Sequence, residues 1–512
     1  MKIKIKTSKI KNTIIKFLKE YYPLLTILLI ASITRLYHLE TRGNFWFDEW
    51  FTLHFSTLPS VKDSLHFWIL ETNPPLHMIF MRFYLFLTGV TSETMVRLPS
   101  LLFGLSSIIL IYFTAKKFFN KNTAIWSALL LTFSGLFIDL NTENRVYSLL
   151  LSLSIVSLLL FYNIAFEKKN KKIYWILYFI ANLLLLYSHL TAVLIPIMQL
   201  LGLILVKANK KLTRKFLIIN FSIGFVWLLW FLPHAISILN VNTASAWYFN
   251  TSNNFFISIL YSLVGAFTVA DHPQVIFAIS ILIILTMVFL AKEIYKAKDS
   301  EKTKLIFLSF YFLFPIICST ILGVIVSKYY TAFYPALFII FARMIDLYTK
   351  NSKTTNPLKR KKALYFVLSL IFLPLTFWTV ITPYFSLKEF TDYIRINKIE
   401  NSIIITPQRD KELFKKYYNG DLAVLALSLK KDNYTNEEKT VKYNFIQETT
   451  TKPDLKKWID ENMNGKNQIF LLEYSDSQKL FEQTLTEKNW KLVYKKDGAG
   501  RTRCHLKEFK KI

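Results

Sequence analysis

Apolar runs of membrane-crossing length follow one another along most of this chain, separated by short basic connections. A helix needs about 20 apolar residues to cross a bilayer core, with a working range of ~17–25. By that measure the chain holds about eleven spans. The first is 21–37. Later runs at 122–139 and 145–165 form one hairpin, and 173–188 with 190–206 form a second. Residues 216–234 and 275–291 form a third across a long connection. A fourth follows at 304–326 and 329–347, and 362–382 makes a final exit. From 385 the pattern changes to mixed charge with short apolar runs. Residues 401–406 and 468–474 predict buried strands, and 490–494 and 502–506 predict further ones. Residues 411–418, 455–463 and 477–485 predict helices. The reading is a polytopic α-helical membrane domain, 1–384, followed by a small α/β domain, 385–512.

Charge orients the chain. Seven Lys precede the first span, which places the N-terminus in the cytoplasm. Basic clusters at 116–121, 168–172, 207–215, 292–304 and 350–362 are each separated by an even number of spans, so all are cytoplasmic and the tail is extracytoplasmic. Residues 74–90 are apolar enough for a short span. Spanning there would carry Lys116, Lys117 and Lys121 outside, so 38–97 reads as a large first outer loop with helices lying on the membrane.

Composition agrees. Of 512 residues, 53% are hydrophobic. The net charge of +29 would suggest nucleic acid in a soluble chain; here it sits in the loops as a topology signal, and no nucleic-acid partner is expected. Two cysteines, Cys318 and Cys504, make no disulfide framework and no zinc motif. No small-residue cleavage site follows 24–33, so the first span is read as retained.

Candidate chemistry gathers on the outer side. Asp48 and Glu49 lie inside Phe45-Trp46-Phe47-Asp48-Glu49-Trp50-Phe51. Aromatic rings favour the membrane interface, where acids are costly unless they are paired or at work. Glu143 and Arg145 occupy one hairpin tip, Ser188-His189 a second, and Lys328-Tyr329 a third; Asp271 and His272 lie in the long outer connection. Arg97 closes the first loop. Acid, guanidinium, imidazole and ammonium thus converge on one face, as a composite site requires. The bland readings are a helix-capping acid pair, a tip ion pair between Glu143 and Arg145, a structural His189 and a snorkelling Lys328. The tail holds no glycine-rich phosphate loop, nucleophile elbow or metal spacing; its default role is structural or acceptor-docking.

The ordered set resembles the membrane glycosyltransferases of the GT-C class. The similarity is to the glycosyltransferase family 39-like branch with the protein O-mannosyltransferases and lipid A aminoarabinose transferases. It runs across roughly 20–345: Asp48-Glu49, Pro74-Pro75-Leu76, Glu93, then Arg97-Leu98-Pro99-Ser100. Glu143-x-Arg145-x-Tyr147-x-Leu149, Ser188-His189 and Lys328-Tyr329 complete it. One departure stands out. The late motif usually reads Arg-Tyr; Lys328 keeps the charge and loses the bidentate geometry.

The resemblance implies transfer of a sugar from a polyprenyl-phosphate carrier at the outer face of the cytoplasmic membrane, with the first-loop acid as base. Asp48 is the preferred base and Glu49 the reserve. Arg97, Glu143, Arg145, His189, Lys328 and Tyr329 are the candidate donor and phosphate contacts. No cofactor is demanded. A divalent metal stays open, with Glu49, Glu143 and His189 as candidate ligands. Partners are the lipid-linked sugar, membrane lipids and a lipid, glycan or protein acceptor. The rival readings are a lipid-linked saccharide flippase or transporter, which would place charges at mid-bilayer, and a polymer ligase.

Overall fold

A computed structural model describes residues 2–71, 73–90, 92–239, 254–269, 273–350, 357–382, 387–407, 411–427, 452–474, 479–497 and 504–512. Their contacts divide the chain into two units. One comprises Met1–Leu39, Arg97–Leu229 and Asn250–Val380; the other comprises Glu40–Val96, Trp230–Phe249 and Ile381–Ile512.

The first unit is helical. Helix α1 covers Lys2–Thr41, and after the helices of the other unit come α5 (Glu93–Phe118), α6 (Lys121–Phe133), α7 (Gly135–Leu140) and α8 (Tyr147–Ala165). Then follow α9 (Lys172–Leu186), α10 (Leu194–Leu205), α11 (Lys210–Leu239), α12 (Phe255–Val264), α13 (Pro273–Lys296), α14 (Asp299–Ile321), α15 (Tyr334–Lys350) and α16 (Pro357–Ile381). Among the described residues six helices are long and apolar enough to cross a membrane: α5, α8, α11, α13, α14 and the Leu18–Thr41 part of α1. The expected spans 173–188 and 190–206 are shorter as helices, and the apolar stretch of α16 is Leu368–Ile381. Helix α8 is buried on nearly every side, whereas α11 and α13 leave most of their surface exposed.

Two expected spans are interrupted, each for a visible reason. The run 122–139 breaks at Ser134. The Arg35 guanidinium donates to the carbonyls of Leu131 at 3.3 Å and Thr132 at 3.1 Å, closing the end of α6. A cation at orphan carbonyls is favourable. The Ser134 hydroxyl then caps α7 at Phe137 N and donates to the Ala266 carbonyl at 2.7 Å. The run 329–347 starts as a helix only at Tyr334, with Pro335 in the first turn, where its missing N–H costs nothing. Residues Ser327–Tyr330 form a 3-10 turn instead.

Polar side chains knit these helices. Tyr178 OH donates to Gln199 Oε1 at 2.5 Å, Gln199 Nε2 to Ser157 Oγ at 2.9 Å, and Ser157 Oγ to Asn182 Oδ1 at 2.7 Å. Such chains hold helices where no water competes. Nearer the basic ends, Arg343 binds Glu301 at 2.5 Å and Asp346 at 2.7 Å, and Asn120 donates to Asp346 at 2.8 Å.

The second unit builds α2 (Phe47–Ser56), α3 (Val61–Leu70) and α4 (Leu76–Thr88) onto the tail. Helix α4 has 13 residues, too few to span. Met78, Met81 and Leu85 are buried, while Phe83, Phe86 and Leu87 are exposed, the pattern of an interfacial helix. The tail contains α17 (Lys388–Asn397), β1 (Ser402–Pro407), α18 (Lys411–Tyr417), β2 (Val424–Leu427), α19 (Lys452–Asn462), β3 (Gln468–Tyr474), α20 (Lys479–Glu487), β4 (Trp490–Asp497) and β5 (Cys504–Lys511). The sheet order is β2-β1-β3-β5-β4. Strand β1 pairs parallel with β2 and β3, and β5 pairs antiparallel with β3 and β4.

Alternation along the inner strands sends side chains to opposite faces. Ile403, Ile405, Ile469 and Leu471 join Leu455, Ile459, Phe481 and Leu485 of α19 and α20. Ile404, Phe470 and Leu472 join Phe390, Ile394 and Phe414 of α17 and α18, and with them Phe45, Phe47, Phe51 and Phe55. The first loop and the tail therefore share one core.

Close helix approach sets the Glu143–Arg145 turn. A Cβ on Gly104 of α5 would lie 2.2 Å from Asn141 Cγ, and Asn141 Oδ1 accepts from the Ser148 hydroxyl at 3.0 Å. Gly104→Ala is expected to destabilise by about 1–3 kcal/mol through overpacking. Gly224→Ala, where a Cβ meets nothing within 4 Å, should be neutral or stabilising by up to about 1 kcal/mol. Thermal unfolding of the two variants in detergent checks the contrast.

Candidate active site

In the helical unit, Arg145 lies in the turn between α7 and α8, His189 follows α9, and Lys328 and Tyr329 lie in the 3-10 turn before α15. The structure brings these four together. The His189 ring lies 5.2 Å from that of Tyr329 and 6.0 Å from that of Tyr147. The Lys328 ammonium sits over the Tyr147 ring at 5.4 Å, a cation–π contact. Thr191 ties the turns to one another, its hydroxyl donating to the Tyr329 carbonyl at 3.0 Å. Gly265 leaves room for Ser327, since a Cβ there would lie 2.0 Å from the Ser327 hydroxyl oxygen.

The protonation of His189 follows from this packing. His189 Nδ1 lies 3.2 Å from Thr191 N and 2.9 Å from the Thr191 hydroxyl. Burial pushes the imidazole down to about 3, and the Arg145 and Lys328 cations push in the same direction. A ring whose protonation is pushed that low is neutral throughout the physiological range. His189 is thus a neutral N–H donor between two cations, a combination suited to an anion.

Arg97 is buried in α5, and Glu143 is buried two residues before Arg145. Tyr147, which supplies the ring beneath Lys328, was not among the expected contact residues, although it lies in the same motif. Asp271 and His272 lie outside the described residues. Among the described residues no group of three or more His, Cys, Asp or Glu side chains could hold a metal ion. Of the three candidate ligands, Glu49 belongs to one unit and Glu143 and His189 to the other.

In the second unit, the two acids differ. Both lie in the first turn of α2, where the helix dipole favours negative charge. Glu49 is fully buried, and its Oε2 accepts from Trp46 N at 3.4 Å, the reach-back half of a capping box. Asp48 is half-buried. Phe47, Phe51 and Phe55 fall on one helical face, their rings tilted against each other at centroid separations of 6.0 and 4.4 Å, as i,i+4 spacing dictates. That face enters the shared core.

The tail touches this acid turn directly. The Lys416 ammonium, at the end of α18, lies 4.9 Å from the Phe45 ring and 5.2 Å from the Trp50 ring. The Tyr417 hydroxyl accepts from Phe45 N at 2.8 Å and donates to Glu93 Oε1 at 2.9 Å. Burial, then the Glu93 carboxylate, push Tyr417 up, which keeps its proton in place. Leu387 N donates to Asn44 Oδ1 at 2.9 Å. Sequence patterning missed Lys416 and Tyr417: a helix-terminal Lys-Tyr pair carries no signal until its neighbours are known.

Residues 72–237 match the family described as dolichyl-phosphate-mannose-protein mannosyltransferase. The match takes in Arg97, Glu143, Arg145 and His189 and leaves Asp48-Glu49 and Lys328-Tyr329 outside it. No curated protein matches the chain. Among solved structures, the chain is similar to ArnT from Cupriavidus metallidurans in the apo state, with a TM-score of 0.57, 12% identity, and 95% of this chain and 97% of that chain covered. The same protein bound to undecaprenyl phosphate gives 0.56 at 12% identity, covering 95% and 98%. The Archaeoglobus fulgidus oligosaccharyltransferase in the apo form gives 0.51 at 12% identity, covering 95% of this chain and 74% of that one. The chain therefore has the polytopic fold of these solved structures, with its α/β tail, and over residues 72–237 it is similar to the mannosyltransferase family; the matched family and these fold neighbours are glycosyltransferases.

Proposed function

We propose that the protein moves a sugar from a polyprenyl-phosphate donor to a hydroxyl acceptor at the outer face of the cytoplasmic membrane, with inversion. The acceptor is a lipid, a cell-surface glycan or a protein. The observation that carries this reading is the arrangement of Arg145, neutral His189 and Lys328. Two cations and an N–H donor suit a departing lipid phosphate, whose charge grows in the transition state. The fold neighbour solved with undecaprenyl phosphate supports the same ligand class.

A phosphate leaving group needs no protonation, so one base for the acceptor hydroxyl completes the chemistry. Asp48 takes that role. It is half-buried at a helix N-terminus, whereas buried Glu49 reaches back to brace the turn. Attack opposite the leaving phosphate inverts the anomeric carbon and forms no glycosyl-enzyme. Arg97 and Glu143 complete the proposed donor contacts, and Tyr329 helps to hold His189. Orientation follows the basic connections, with the N-terminus cytoplasmic and the tail outside.

Reconstitution with a labelled polyprenyl-phosphate sugar tests the reading. Wild-type protein should strip sugar from the carrier; movement of intact carrier without cleavage would mark a flippase instead. Asp48→Asn should remain folded and lose about 10²–10⁴-fold in turnover, and near-normal turnover by that variant would remove Asp48 as the base. His189 stays neutral above about pH 3. The kcat profile between pH 5 and 8 should therefore be the same shape in wild type and in His189→Gln, which keeps an N–H donor. An inflection near pH 6.5 that the substitution abolishes would contradict the assignment.

A further inference from the structure

We propose that Lys416 and Tyr417 are positioning residues for the acid turn, so that the tail domain sets the place of the Asp48 carboxylate. This inference rests on the assignment of Asp48 as base.

Three observations converge. The Lys416 ammonium spans the two rings that bracket the acids in sequence, Phe45 before them and Trp50 after them. It also lies 5.9 Å from the ring of Tyr417. The Tyr417 hydroxyl joins the backbone of Phe45 to the Glu93 carboxylate, so the turn is pinned at its first residue. Beneath both contacts, Phe45, Phe47 and Phe51 share a buried core with Phe414 and Tyr418 of the tail. Phe414 and Tyr418 flank the Lys416-Tyr417 pair and point into that core, which presents the pair to the acid turn.

The physical logic is selective. The aromatic core fixes α2 as a body, but a core tolerates small rotations of a short helix. A cation held over rings on both sides of the carboxylates, and a hydroxyl bonded at the preceding residue, remove that freedom. Misplacement of a base by about 1 Å costs up to ~100-fold in rate, while a cation–π contact is worth about 0.5–2 kcal/mol. Loss of the contact should therefore show in turnover more than in stability or donor affinity.

The test uses the full chain in proteoliposomes with a labelled polyprenyl-phosphate sugar. Lys416→Met should lower kcat about tenfold with donor KM within about twofold. Lys416→Arg, which restores a cation over the rings, should recover most of the loss. Tyr417→Phe should also lower kcat, and Lys415→Met, on the neighbouring exposed lysine, should behave as wild type. Wild-type kcat in Lys416→Met, or a Lys416→Arg protein no better than Lys416→Met, would overturn the proposal. Should Lys416→Met fail to fold, Tyr417→Phe against wild type decides in the same way. Near-normal turnover by Asp48→Asn would sink the base assignment itself; loss in Asp48→Asn with no effect at Lys416 and Tyr417 would sink only this inference.

Discussion

A charge inside an apolar protein must find a partner, and the helical unit is organised by that requirement. Arg35 is fully buried. It meets its need at the carbonyls of Leu131 and Thr132, and in doing so ends one helix and allows Ser134 to start another. His38, three residues later, is also fully buried and lies 3.3 Å from both Asp139 and the Val380 carbonyl. An unpartnered cation at this depth costs at least several kcal/mol. The end of α6 is thus placed by where a charge is met, not by where the apolar run stops.

The same requirement explains what was legible in the sequence. Apolar length gave the helical class, because that signal is local. Strand β3 was readable to the residue, since Gln468 and Tyr474 bound a segment whose Ile469–Leu472 run is apolar. The break at Ser134 was not readable, because its cause is Arg35, nearly one hundred positions away. Strand β2 was missed, being four residues long and ordered only by its pairing with β1. Helix α17 was missed because its buried Phe390 and Ile394 face a core that the sequence does not display.

The candidate chemistry divides similarly. Arg145, His189, Lys328 and Tyr329 were visible as polar residues at the ends of apolar runs, and the structure groups them. Their protonation was not visible. It depends on burial and on the Arg145 and Lys328 charges, which keep the His189 imidazole neutral. The acid pair shows the converse. The resemblance preferred Asp48 and held Glu49 in reserve; in the structure Glu49 is fully buried and Asp48 half-buried.

The shared core of the first loop and the tail has a consequence for how the molecule is made. Phe45, Phe47, Phe51 and Phe55 emerge early in synthesis, and their partners Phe390, Phe414 and Phe470 come more than 300 residues later. At a synthesis rate of ~5–20 residues per second the interval is roughly 15–60 s. Throughout it, the aromatic face of α2 has no finished protein surface to pack on. The acid turn is therefore completed among the last parts of the chain, and a truncated product that inserts every helix still lacks a finished first loop.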